Sequence, residues 1–200
     1  MYTEQSGECR LYPDLMLDIE TLATSNNAVV TQIGVCAFDI ESGNYDTDLG
    51  DSGLCINLQI QDQLDRGRVI TQRTLFWWLE QILQTNKCTW MKYLYGPVSA
   101  IQLLQKYTST HCAKNFNVWS HTFDTNIMSD LSSMYNHKLP WTYRQQRDIR
   151  TLTCLAGYKK KQQVEGFDKT HNALDDCLYQ IGYCCDAWRQ IHVDNKGKIS

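Results

Sequence analysis

At 200 residues the chain is long enough to bury the core of one compact domain, and we expect a single domain over 1–200. Its 42% apolar and 20% charged residues are ordinary for a globular protein. No apolar run approaches the ~20 residues of a membrane span, and a net charge of −3 excludes a general attraction for nucleic acid, though not an enzyme that grips a few phosphates beside bound cations.

In chain order, "RLYPDLMLDIETL" reads as a first strand reaching Asp18 to Glu20. "AVVTQIGVCAFDI" (28–40) is apolar and β-branched on both faces, as a central strand is. "ESGNYD" is a polar turn, and the alternation of "GLCINLQI" (53–60) marks a third, half-buried strand, so the three suggest an antiparallel meander. The period then changes. Leu75, Trp78, Leu79, Ile82 and Leu83 fall at helical spacing in "TQRTLFWWLEQILQ" (71–84), and "PVSAIQLLQKYTS" (97–109) opens with Pro at a first helical position. "FNVWS" (116–120) is a short strand, and "FDTNIMSDLSSMY" (123–135) follows as a helix. "RQQRDIRTLTCLAG" combines a strand-like start with a short helix stopped at Gly157. The aperiodic "YKKKQQVEGFDKT" (158–170) reads as a mobile loop. "HNALDDCLYQIGYCCDAW" (171–188) is the last long helix, with Leu174, Leu178, Ile181, Cys185 and Trp188 as its core stripe. The order predicts an α/β fold: a mixed sheet, meander plus parallel strands, with helices packed on it.

Nine cysteines form an odd set with no C-x-x-C pair, and Cys184 adjoins Cys185. That argues against a disulfide framework or a zinc ribbon, and for reduced thiols in a cytosolic protein. His111 beside Cys112 is read as structural. The N-terminal "MYTEQSGECR" lacks the basic start and apolar core of a secretory signal, and a cytoplasmic location is expected.

The chemistry gathers around acids. In "LMLDIETL" two carboxylates, Asp18 and Glu20, interrupt an apolar run, where ionised groups are costly unless paired or holding a metal. On a strand they share a face and repel, and a divalent cation would turn that repulsion into a site. The plainer alternative is a strand end whose acids face water. Asp124 follows a strand at a helix start, where a carboxylate either caps free N–H groups or joins a site at the strand ends. The last helix opens with His171 and carries Asp175 and Asp176; imidazole can accept a proton at neutral pH. Helical spacing puts Asp175 nearer the His171 face, while Asn172 as N-cap would make Asp175 a third-position acid that supports the cap.

Together, "LDIETL", "WSHTFDTNIMSDL" and "HNALDDC" resemble the DEDDh 3′-5′ exonucleases, the DnaQ-like branch of the ribonuclease H-like fold. "WW" and "QRDIRTL" are similar to bacteriophage exonucleases of the T-even exonuclease A type and to the mycobacterial RNase AS group. The resemblance implies that Asp18, Glu20, Asp124 and Asp176 hold two Mg²⁺ or Mn²⁺ ions, hard cations suited to oxygen ligands. It makes Asp18 the bridge, His171 the general base, and Asp176 rather than Asp175 the ligand, because the histidine sits on the entry loop. It also places Thr21 and Leu22 in the terminal-nucleotide pocket, with Leu22 under the last base.

Three further assignments concern substrate. Trp77 and Trp78 cannot both face the core: Trp78 is the candidate for base stacking, against the plainer reading that both pack at the core's rim. Arg147 and Arg150, in a basic stretch with Arg144 and Lys159 to Lys161, are candidate phosphate clamps. The loop before His171 is expected to order when substrate arrives. The expected activity is removal of 5′-mononucleotides from the 3′ end of DNA, with single-stranded ends as the expected substrate. The alternatives are the same chemistry on RNA, a non-catalytic binding module on a nuclease fold, and a zinc hydrolase, for which no ligand spacing exists. No membrane partner is expected, the oligomeric state is open with a homodimer among the options, and a phage origin would make the compartment host cytoplasm.

Overall fold

The computed structural model describes residues 11–46, 53–88, 92–158 and 171–196, with side chains to His192; the expected loop over 158–170, with its lysine run, lies outside them apart from Tyr158. Six strands form one sheet: β1 (Tyr12–Thr21), β2 (Val30–Phe38), β3 (Leu54–Leu58), β4 (Leu94–Tyr95), β5 (Cys112–Ser120) and β6 (Gln146–Asp148), in the order β4-β3-β2-β1-β5-β6. The meander β1-β2-β3 is antiparallel, and β5, β6 and β4 join it in parallel pairings. The helices are α1 (Gln61–Asp65), α2 (Gln72–Thr85), α3 (Pro97–His111), α4 (Thr122–Met134), α5 (Ile149–Leu155) and α6 (Ala173–Lys196).

Strand β1 is central, and its period of two divides the molecule. Leu15, Leu17 and Ile19 are buried on the face packed with Ala100 and Leu104 of α3 and Ile127, Met128 and Leu131 of α4. Met16 faces the other way, among Ile149 and Leu152 of α5 and Cys177, Ile181 and Cys184 of α6. Asp18 and Glu20 continue the Met16 row, so the strand that builds the core also carries its acids under α6.

That helix lies unusually close to the sheet. A methyl group at Gly34 on β2 would overlap the Ala173 backbone, and the Cys177 thiol donates to the Gly34 carbonyl at 3.2 Å. Small residues therefore set the closest contact: Ala173, Cys177, Cys184 and Ala187 are fully buried, and Ile181 and Cys185 of the expected stripe are buried as well, whereas its Leu174, Leu178 and Trp188 are only partly so. The buried face is shifted from the expected stripe toward the small residues beside it, because only those allow close approach.

Helix α2 also departs from expectation. It packs at the sheet's margin on a small cluster of Leu22, Val29 and Trp78, and Leu75, Leu79 and Leu83 remain exposed at 36%, 48% and 82%. The short elements α1 and β4, and a 3₁₀ turn at Tyr143–Gln145, span too few residues to show a period. The eight described cysteines are free thiols, and no described helix is long and apolar enough to cross a membrane.

Candidate active site

Parallel pairing brings the ends of β1 and β5 to one side of the sheet: Met16 pairs with Trp119, so Asp18 stands level with the turn that follows Ser120. There the chain enters α4, and Asp124 falls in its first turn. Ligand sites gather at such strand-to-helix turns. The Asp124 carboxylate accepts the His121 N–H at 3.2 Å, so it does act as a cap, yet it also faces the β1 acids. Asp148, the N-cap of α5, accepts from the backbone and hydroxyl of both Thr122 and Thr151 at 2.7–2.9 Å. These bonds fasten the starts of α4 and α5 together, which fixes Asp124 relative to Arg150.

The start of α6 completes the site. Asn172 Oδ1 accepts the N–H of Leu174 at 3.0 Å and of Asp175 at 3.3 Å, and Gln32 Oε1 on β2 accepts the Ala173 N–H at 2.7 Å. Three of the free N–H groups of the helix start are thereby satisfied, and one of them ties α6 to the sheet. His171 precedes this cap with φ +47°, a left-handed conformation uncommon for a non-glycine residue. It brings the ring back over the site, so that Glu20, His171 and Asp176 offer ligand atoms all within 4.8 Å of one another. Asp176 is half-buried and faces the acids, while Asp175 is exposed on the next position of the helix.

The electrostatics follow from this crowding. Burial, then Asp124, Glu20 and Asp176, drive the Asp18 carboxyl well above its ordinary range, with the Gln180 amide pulling it down. Burial and the charges of Asp176 and Asp124 raise Glu20 likewise. Asp124 is pushed up to about 7 by burial, against the His121 hydrogen bond and the nearby Arg150 charge, which both lower it. Asp124 and Asp176 thus make ionisation of both Asp18 and Glu20 costly, a crowding that divalent cations would relieve. The donors fit hard divalent cations: carboxylate oxygens dominate, with one imidazole alongside. Gln180 Oε1, buried next to Asp18 with no hydrogen-bond partner among the described residues, is a further polar atom that a cation's water shell would satisfy.

Gln180 escaped sequence reading. Its Nε2 donates to Asp18 Oδ1 at 2.6 Å, and it stands four residues after Asp176, on the same face of α6. The spacing held that signal, but an uncharged amide did not stand out among the acids.

Other expected site residues are distributed unevenly. Trp78 is 4% exposed, and its indole N–H donates to the Thr21 carbonyl at 3.0 Å, so it braces the loop after β1 and offers no free face for a base. Its neighbour Trp77 is 38% exposed, and its ring meets the edge of the His171 ring at 4.6 Å between centroids. The Leu22 side chain is buried with Val29 and Trp78, which removes it from the position under a base. Thr21 is buried and its hydroxyl donates to the Ala23 carbonyl at 2.8 Å. Arg150 is brought to the acids, but the Arg147 guanidinium donates to the Arg144 and Gln146 carbonyls at 2.8 and 2.9 Å instead.

A mixed sheet with four acids and a histidine gathered at the ends of its parallel strands defines the class: a DEDD-type 3′-5′ exonuclease, a hydrolase acting on nucleic acid. Residues 13–188 match the model of the "3'-5' exoribonuclease Rv2179c-like domain" family, and the chain belongs to that family. It is 26% identical over 201 residues to the exodeoxyribonuclease of Enterobacteria phage T4, covering 84% of this chain and 86% of that protein. In fold it is similar to the RNase domain of the yeast Pop2 protein, at a TM-score of 0.52 and 12% identity over 91% of this chain and 79% of that one. A chain in the structure of the yeast NOT1 MIF4G domain co-crystallized with CAF1 matches at a TM-score of 0.50 and 14% identity, covering 91% of this chain and 81% of that one.

Proposed function

We propose that the chain is a divalent-metal-dependent 3′-5′ exonuclease that removes 5′-mononucleotides one at a time from single-stranded 3′ ends of DNA. The observation that carries this reading is the convergence of Asp18, Glu20, Asp124 and Asp176 with His171, since buried carboxylates so placed repel one another unless cations lie between them. Similarity to a phage exodeoxyribonuclease across most of both chains favours DNA. The family's description favours a second reading, the same chemistry on RNA.

Asp18, Glu20, Asp124 and Asp176 would hold two Mg²⁺ or Mn²⁺ ions. When bound, such a pair clamps the attacking and leaving oxygens of an in-line displacement and makes water acidic enough to attack. The chain's own residues do the rest. An imidazole nitrogen of His171 takes the proton of the attacking water, the water oxygen bonds to phosphorus, and the bond from phosphorus to the 3′-oxygen of the next nucleotide breaks. Gln180 keeps the Asp18 carboxylate in one orientation. Trp77, beside His171 and lining a cavity of about 500 Å³ with Thr24, Thr71, Arg73 and Thr74, takes the stacking role first expected of Trp78.

The test uses 5′-labelled DNA and RNA of one sequence, single- and double-stranded, with Mg²⁺, Mn²⁺ or EDTA. A ladder shortening from the 3′ end is expected, abolished by EDTA and by Asp176→Ala but retained in Asp175→Ala. Internal cuts, or activity that survives EDTA, would overturn the proposal; the polymer degraded faster decides between the two readings.

A further inference from the structure

We propose that Asn57 on β3 is a positioning residue for His171: with Gln32 on β2 it forms an amide relay that runs from the sheet edge to the start of α6 and fixes where His171 and Asp176 stand. The proposal rests on the exonuclease reading, which gives His171 its task.

The strand register aligns one residue from each of four strands. Glu20 on β1 pairs with Gln32 on β2, Gln32 with Asn57 on β3, and Asn57 with Leu94 on β4. Paired residues present their side chains to one face. Gln32 and Asn57 therefore continue the row of Glu20 outward to an edge about 14 Å away, at ~4.8 Å per strand. Along that row the hydrogen bonds join end to end. Asn57 Nδ2 donates to the Lys92 carbonyl at 2.7 Å, Gln32 Nε2 donates to Asn57 Oδ1 at 2.8 Å, and the Ala173 N–H donates to Gln32 Oε1 at 2.7 Å.

The two ends dictate the polarity of this relay. A backbone carbonyl only accepts, a backbone N–H only donates, and a carboxamide offers one oxygen and one amino group. Lys92 therefore claims the Asn57 amino group, which leaves the Asn57 oxygen for Gln32, and Gln32 must then show its own oxygen to Ala173. Without Asn57, nothing along this row obliges Gln32 to present that oxygen. Turned over, its amino group would meet the Ala173 N–H, donor against donor, and Gln32 is fully buried, where an unmatched donor is costly. Each end also abuts a left-handed residue other than glycine: Tyr93, next after Lys92, has φ +54°, and His171, two before Ala173, has φ +47°. Such conformations persist where the surroundings over-determine them, and the relay supplies one constraint at each end.

Three single variants separate a relay from a plain staple of β4. Asn57→Asp keeps an acceptor for Gln32 and loses the donor to Lys92, whereas Asn57→Leu loses both. In Asn57→Leu, kcat on a single-stranded oligonucleotide should fall about tenfold with KM kept within about twofold, as misplacement of a catalytic group does. The Ala173 amide of the metal-free protein should exchange with deuterium about tenfold faster, read by NMR. Asn57→Asp should melt lower, yet both readings should return to within about threefold of the unaltered protein, since Gln32 stays oriented. Gln32→Met should share both defects of Asn57→Leu, and the double variant should be no worse than Gln32→Met alone, because members of one network are not additive. Unchanged Ala173 exchange in Asn57→Leu, equal losses in Asn57→Asp and Asn57→Leu, or losses that multiply in the double variant would overturn the relay. Failure of the unaltered protein to shorten any 3′ end would instead overturn the nuclease reading, and Ala173 exchange would still decide the relay.

Discussion

Asp18 is 8% exposed, and Asp124, Glu20 and Asp176 all act with burial to keep it protonated. Asparagine has nearly the same shape and can still accept from Gln180, but carries no charge. In the absence of metal, Asp18→Asn should therefore raise the melting temperature by ~2–4 °C, the shift that relief of about 1 kcal/mol gives in a chain of this size. The same change should lower exonuclease activity by at least the ~10–100-fold that even outer-shell partners of a metal contribute. Thermal unfolding in EDTA and a 3′-end ladder measure the two effects, and a less stable variant would contradict the crowding described above. At this scale the acids were legible, because charge inside an apolar run is conspicuous and strand and helix periods place it. Asp176 over Asp175 was legible only through the family resemblance; the structure separates them by burial. Trp78 was not legible, since identical residues at 77 and 78 differ only in what α2 rests on.

Among the elements, α6 carries the most, because the residue before its cap is His171, its first turn delivers Asp176 and its body covers the β1 acids. Its position depends on Gly34, where a side chain would meet the Ala173 backbone, and on the Gln32 amide that accepts the Ala173 N–H. Gly34→Ala should push the helix start off the sheet, destabilising the protein by ~1–3 kcal/mol as overpacking does, and should depress activity out of proportion to the stability lost. A urea midpoint and an activity measured on the folded variant check this; wild-type values of both would show the contact to be slack. Strong periods made β1, β2, β3, α3 and α4 readable from sequence. The buried faces of α2 and α6 were misjudged in part for one reason: period locates an apolar face, but the partner's shape decides which side chains on it are buried. On α6 the small residues win because β2 presents a glycine.

For the whole molecule, the raised carboxyls link folding to pH and to metal. Asp124, at about 7 against an ordinary 3.8, holds its proton in the folded state through a window where the unfolded chain has released it. The folded state then binds more protons, so the stability this group contributes is fully present below pH ~3.8 and is lost as pH rises through ~7. Asp18 and Glu20, also raised, act in the same sense. Asp148, which its four hydrogen bonds hold down at about 2 against the effect of burial, has the opposite sign, but its effect is lost only as pH falls toward 2 and does not offset this window. The metal-free protein should thus melt lower at pH ~8 than at pH ~5.5, and added Mg²⁺ should restore stability at the higher pH with little effect at the lower, where binding must displace protons. Scanning fluorimetry across that range, with EDTA or Mg²⁺, gives the answer; a metal-free protein that melts higher at pH ~8 would refute the linkage.

The most direct measurement is the location of manganese by anomalous scattering in crystals soaked with Mn²⁺. Two peaks about 3.5–4 Å apart are expected, with Asp18 reaching both, Glu20 and Asp176 on the one beside His171, and Asp124 nearer the other. Strong peaks elsewhere on the protein, with none in ligating reach of Asp18, would contradict it.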